Sequence, residues 1–211
     1  MSSGLADATI DGAYRLTPLH RLWRHLPSRP RRWLISQAAA LLAPHIDRSP
    51  PAPRLGVAVA GELSRASGLG EGARLMLRAL EALGIPCWPI DVGQLLPAAT
   101  NDPPVTATTM PPAGVPMVLH INPPLLPMAL LRLPRDLVRD RRIIGYWSWE
   151  LQVAPPEWRI GAQFVHEVWV PSPFTAASLE PMMAGRVRVV PHPVAINPPI
   201  PSAIAPWMPP G

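Results

Sequence analysis

"RLGVAVAGELSRASGLGEGARLMLRALEALGIPCWPIDV", residues 54–92, contains two changes of periodicity that decide the fold class. Arg54 to Gly61 is a short apolar run without a polar alternate, as expected of a strand buried on both faces. From Gly68 the apolar residues Leu69, Ala73, Met76, Leu77, Leu80 and Leu83 form one stripe at helical spacing. Arg74, Arg78 and Glu81 lie off that stripe, and Gly84 stands at the C-terminal stop. Ile85 to Val92 is strand-like again. Strand, helix and strand make a βαβ unit with parallel strands.

The alternation continues outward. "PMVLHI" (116–121), "RRIIGYW" (141–147), "EVWVP" (167–171) and "RVRVVP" (186–191) read as strands. Helices are predicted over 125–133, near 155–166 and over 173–184. Six apolar strands alternating with helices predict an α/β fold, a Rossmann-like parallel sheet with helices on both faces, over residues 54–194. Ligands on such sheets sit at the carboxyl ends of the strands, which directs attention to the loops bearing Gly68, His120, Glu150 and Ser172.

Before this domain, Leu16, Leu19, Trp23 and Leu26, then Trp33, Leu34, Ala38, Leu41 and Leu42, predict two short amphipathic helices. "PHIDRSPPAP" (44–53) is a proline-rich linker that closes this basic segment of residues 1–53. The helices either pack on the main domain or lay Arg21, Arg24, Arg31 and Arg32 with Trp23 and Trp33 on an anionic membrane, a peripheral contact through residues 15–42. Residues 195–211 carry too many prolines for a regular element and read as a disordered tail.

The 211 residues, 48% of them hydrophobic, suffice for one domain with a sizeable core. All 19 basic residues are Arg, and six fall between Arg15 and Arg32. No apolar run approaches a membrane span. "RPRRWLISQAAALLA" (29–43) has the charge order of an export signal, but it lies late and contains Gln37. The single Cys87 excludes an intrachain disulfide and fits a reducing compartment, so the expected location is cytoplasmic, with the inner membrane face as the peripheral alternative. Without Lys there is no P-loop, and there is no G-x-S-x-G. The six His show no metal-ligand spacing, so no metal is expected. Beyond the N-terminal Arg residues nothing suggests a nucleic-acid surface.

The glycine loop Ser67, Gly68, Leu69, Gly70 and Glu71 has three readings. Exposed amides at a helix start attract phosphate oxygens. Gly68, Gly70 and Ala73 also match the dinucleotide pattern G-x-G-x-x-A, with Asp91 where a ribose-binding acid would stand, although "ELSRAS" makes the approach longer than that fingerprint allows. In the third reading Ser67 or Gly68 only caps the helix, and Glu71 stabilises its first turn by about 0.3 to 1 kcal/mol.

Taken in order, "SGLGEGARLMLRALEALGIPC", "VLHINPP", "IIGYWSWEL", "PPEW", "EVWVPSPFTAASL" and "VRVVPHPV" resemble the N-terminal, acceptor-side domain of a family 4 glycosyltransferase of the GT-B fold, from Arg54 to Val194. The resemblance implies retaining hexosyl transfer from a nucleoside diphosphate sugar, as donor substrate and without cofactor or obligatory metal, to a saccharide or lipid-linked acceptor. It implies a donor-phosphate loop at Ser67–Glu71, catalytic roles for His120 and Glu150, and an acceptor cleft at Asn122, Trp147, Ser148, Trp149 and Ser172. Many relatives have a His after the strand that ends here in "GYWSWE", so that role does not carry over. The donor domain of such enzymes has an E-x7-E pair, and no two Glu of this chain stand eight positions apart. The resemblance thus covers half an enzyme, with no turnover expected of this chain alone and a separate donor-binding domain or chain as partner. A non-catalytic binding module, a split-enzyme subunit and an NAD(P)-binding oxidoreductase domain stand as alternatives.

Overall fold

The computed structural model describes residues 27–93 and 109–194. The chain divides into two units, Met1–Ile35 and Ser36–Gly211, and the sheet lies within the second. The helix expected over Leu16–Leu26 and the tail at 195–211 lie outside the described residues.

Helix α1 spans Ser28–Leu42. Its predicted stripe is not what packs: Leu41 and Leu42 are 83% and 70% exposed, whereas Ala39, Ala40 and then Ala43 are buried. Small side chains allow the close approach that branched ones would prevent. The remaining elements follow the predicted order: β1 Val57–Gly61, α2 Gly68–Ala82, β2 Cys87–Asp91, β3 Met117–His120, α3 Leu126–Arg132, β4 Ile143–Tyr146, β5 Glu167–Val170, α4 Pro173–Met183 and β6 Val187–Val189. The segment expected as a short helix near 155–166 is a 3-10 run over Pro156–Phe164. Pro155 and Pro156 at its start and Gly161 in its middle are poor α-formers.

The strands form one all-parallel sheet in the order β2-β1-β3-β4-β5-β6. Successive strand residues serve opposite faces. Ala58, Ala60, Met117, Leu119, Ile143, Val168 and Val170 join a core covered by the end of α1, by α3, by the 3-10 run and by α4. Val59, Val118, Ile144 and Tyr146 face Ala73 and Met76 of α2. The fold is thus α/β and Rossmann-like, with helices on both faces. β2 is an edge strand, which accommodates Pro89: its missing N–H faces no neighbour. The chain winds from β1 to β2 on one side, then crosses to β3 on the other, so the winding reverses between β1 and β3. Cys87 at the start of β2 is half-buried, and burial, followed by the nearby Glu81, raises its thiol above the usual range. Among the described residues no helix is long and apolar enough to cross a membrane.

β4 ends against a tight constraint. Trp147 is fully buried, edge-on to Trp158 at 6.0 Å, and a Cβ on Gly145 would overlap its indole Nε1. Gly145→Ala should therefore lower stability by about 1–3 kcal/mol, as overpacking does. The same substitution in a Trp147→Phe background should cost less, because the clashing atoms are gone. Urea unfolding of the four proteins checks this, and equal costs in both backgrounds would contradict it.

Candidate functional site at the carboxyl edge of the sheet

At the winding reversal the register sets Gly61, the last residue of β1, between Asp91 of β2 and His120 of β3. His120 is 1% exposed and stacks on Tyr146, with ring centroids 4.5 Å apart and planes 12° from parallel. Its Nε2 lies 3.3 Å from Met76 Sδ of α2. A second imidazole arrives from the other end of the sheet: the chain leaving β6 turns back so that His192 lies over Tyr146, 4.9 Å between centroids. The Tyr146 hydroxyl pins that return by donating to the Val190 carbonyl at 2.7 Å. Gly72 makes room for it. A Cβ there would stand 3.1 Å from His192 Cε1, 3.4 Å from His192 Nδ1 and 3.6 Å from His120 Nδ1.

These groups are uncharged near neutral pH. Burial, helped by the neighbouring His192, takes the His120 imidazole down to about 3. Burial also lowers His192, and it pushes the Tyr146 phenol up to about 12. The Nδ1 atoms of both His are buried without a hydrogen-bond partner. Buried polar atoms left unpaired cost about 1–3 kcal/mol each, which marks these two imidazoles as the unsatisfied polar pair of this edge. A base so weak does not take up a proton at neutrality, so His120 presents one ring N–H and one ring acceptor here.

The glycine loop is folded by its own partners. Ser67 caps α2 by accepting from the Gly70 amide at 3.1 Å. A Cβ at Gly70 would lie 2.6 Å from the Glu62 carbonyl, so this glycine serves the loop's own packing; one at Gly68 would meet open space. Arg74 donates to the Leu63 and Arg65 carbonyls at 2.8 and 3.0 Å, fastening the "ELSRAS" approach to the helix. Glu71 is held by Arg74 and Arg78, both at 2.7 Å, and these bonds lower its carboxyl. Glu62, nearly buried, pairs with Arg65 at 3.2 Å. Each guanidinium of this loop already faces a carboxylate.

The next loops are stitched side by side. Asn122 donates to the Ser148 carbonyl at 3.2 Å and accepts from the Ser148 amide at 3.1 Å, joining the ends of β3 and β4. Thr175 donates to the Trp149 carbonyl at 3.0 Å, and Ser172 caps α4 by accepting from the Thr175 amide at 3.2 Å. The half-buried Trp149 indole donates to the Val153 carbonyl. Glu150 is exposed and makes no ion pair among the described residues. Trp147 does not belong in a cleft as expected. Its ring folds back beneath Gly145 into the core, so neither face is available for stacking.

Asp91, at the position of the ribose-binding acid in the dinucleotide pattern, spends both oxygens on the chain: Oδ2 accepts from the Ser64 amide at 3.0 Å and Oδ1 from the Gly93 amide at 2.7 Å. Sequence reasoning missed His192 and Tyr146. A signal existed in "VVPHPV", a polar residue between prolines beyond a strand's carboxyl end, but nothing local says that the segment doubles back across three strands. No group of three or more His, Cys, Asp or Glu suited to a metal ion occurs among the described residues. The chain matches no family model, no curated protein and no solved structure at a significant level.

The imidazoles set a pH dependence. An unfolded histidine binds its proton near pH 6.5, whereas folded His120 resists until about 3. In that window the unfolded chain holds a proton that the fold rejects, so stability falls as pH drops from about 6.5 towards 3, by up to about 1.4 kcal/mol per pH unit. His192, lowered too, adds in the same direction. Urea unfolding between pH 7.5 and 4 should show this slope, and His120→Gln should flatten it; an unchanged slope in that variant would contradict the assignment.

Proposed function

We propose that residues 54–194 are the acceptor-side domain of a retaining family 4 glycosyltransferase of GT-B architecture, which presents a saccharide or lipid-linked acceptor hydroxyl to a hexosyl group carried on a nucleoside diphosphate. One observation carries the reading: the segments that resemble that family converge on one edge of the sheet, where reciprocal Asn122–Ser148 hydrogen bonds tie the β3 and β4 loops into a ledge beside the neutral imidazoles of His120 and His192. In this reading His120 and Asn122 orient the acceptor, the free end of α2 at Gly68 faces the donor phosphates, and Glu150, exposed beyond β4, approaches a sugar hydroxyl. The nucleotide sugar would be held mainly by residues outside the present sequence, in the same polypeptide or in a separate chain.

The oxidoreductase reading is disfavoured by Asp91, whose carboxylate is consumed by backbone amides. Binding of a panel of mono- and oligosaccharides, followed by calorimetry and by amide shifts in the protein, tests the proposal. Asn122→Ala should weaken the best ligand about tenfold by removing the two bonds that hold the ledge. NAD(H) binding that is abolished by Asp91→Ala, with no saccharide bound, would overturn it.

A further inference from the structure

At the opposite, amino edge of the sheet lies a cavity of about 750 Å³ bordered by Arg48, Arg142 and Arg186, with His45 and His166 beside them. Its outer wall, residues 45–50, is fastened in place. Asp47 accepts from the Asp140 amide through Oδ2 at 2.7 Å, and its carbonyl accepts from His166 Nε2, also at 2.7 Å. His166 Nδ1 accepts from the Ile143 amide at 2.8 Å, and His45 stacks on Phe164.

The charge around this cavity is not balanced. Asp47 is the one carboxylate among its lining residues, and its Oδ2 is committed to a backbone amide. Arg186 spends its NH1 on the Ala162 and Val165 carbonyls, which leaves its charge uncompensated. Arg142 reaches Glu167 only at 3.5 Å, and the same carboxylate oxygen is shared with Arg188 at 3.5 Å. Arg48 has no ion-pair partner among the described residues. Arg48 and Arg186 are exposed and Arg142 is partly so, and three like charges around one cavity concentrate a positive potential that attracts an anion.

We propose that this cavity is an anion site for a phosphoryl group, gripped by Arg48 and Arg142 with Arg186 also on its rim. Guanidinium forks match phosphate oxygens two at a time, and three of them suit a dianion better than a carboxylate. The phosphoryl group belongs either to a soluble phosphate ester or to a phospholipid headgroup. The site lies across the sheet from the switch point, so its occupancy is independent of the glycosyl-transfer reading.

The full chain titrated calorimetrically with inorganic phosphate and with glycerol phosphate provides the test. Saturable binding is expected, weakening as salt rises, about tenfold weaker in Arg48→Gln and in Arg142→Gln, and unchanged in Arg78→Gln on the exposed face of α2. Arg48 makes no hydrogen bond or ion pair among the described residues, so its variant keeps the test readable if Arg142→Gln unfolds. Sedimentation with vesicles of phosphatidic acid in phosphatidylcholine separates the sources. A headgroup ligand makes these vesicles carry down the wild-type chain but not the variants, and a soluble ester leaves all chains in solution. Absence of saturable phosphate binding, or binding that neither pocket variant weakens, would overturn the proposal.

Discussion

Everything at the carboxyl edge depends on β1 being paired on both sides. Ala58, Val59 and Ala60 are wholly buried, and their backbone groups have no partner but the neighbouring strands. Unmet hydrogen bonds in that setting are costly enough that β2 and β3 must both flank β1 in register. With β2 on one side of β1, β3 takes the other, and the winding reverses there. That reversal opens the gap between the β1 and β3 loops in which His120, Gly72 and the returning His192 meet.

Around this gap the protein separates charge from neutrality. On the α2 side every guanidinium of the approach loop faces a carboxylate or a carbonyl: Arg65 with Glu62, Arg74 with Glu71 and the loop, Arg78 with Glu71. These contacts are largely exposed and order the loop more than they stabilise the fold. On the inner side are only neutral groups, two imidazoles and a phenol whose burial keeps them so. Neutral groups of this kind discriminate by hydrogen-bond direction rather than by charge, which is the basis of the proposal that a hydroxyl-bearing ligand is recognised here. Positive charge gathers instead at the amino edge, around Arg48, Arg142 and Arg186.

Much of the fold was legible because two periodicities were unmixed. The apolar run at 57–61 and the stripe from Leu69 to Leu80 leave few alternatives to strand and helix, and Pro89 fits β2 only as an edge. Helix faces were less legible. In α2 the helix packs through Gly70, Gly72, Ala73 and Met76, while Leu83 at the end of the expected stripe is 72% exposed. In α1 alanines pack where leucines were expected. Hydrophobicity marks a stripe, but close packing on a sheet favours small residues, and a sequence pattern weighs size poorly. The site was half legible. Local motifs located Ser67 at a helix start and His120, Asn122, Ser148 and Ser172 at or just past strand ends; Tyr146 and His192 were invisible because their meeting depends on a chain return of 44 residues in sequence. Trp147 misled for a related reason, since only the bare backbone at Gly145 lets its ring turn inward.

The proposed ligand enters at the β1/β3 reversal, between the glycine loop and the paired imidazoles. Amide hydrogen exchange of the full chain, with and without the tightest-binding saccharide, tests it most directly. Added protection should fall on residues 61–72, 120–122, 146–149 and 190–193 together, because Tyr146 and His192 tie the last segment to the first. Protection absent from these segments at saturating ligand, or confined to the amino-edge residues 45–50, would contradict the account.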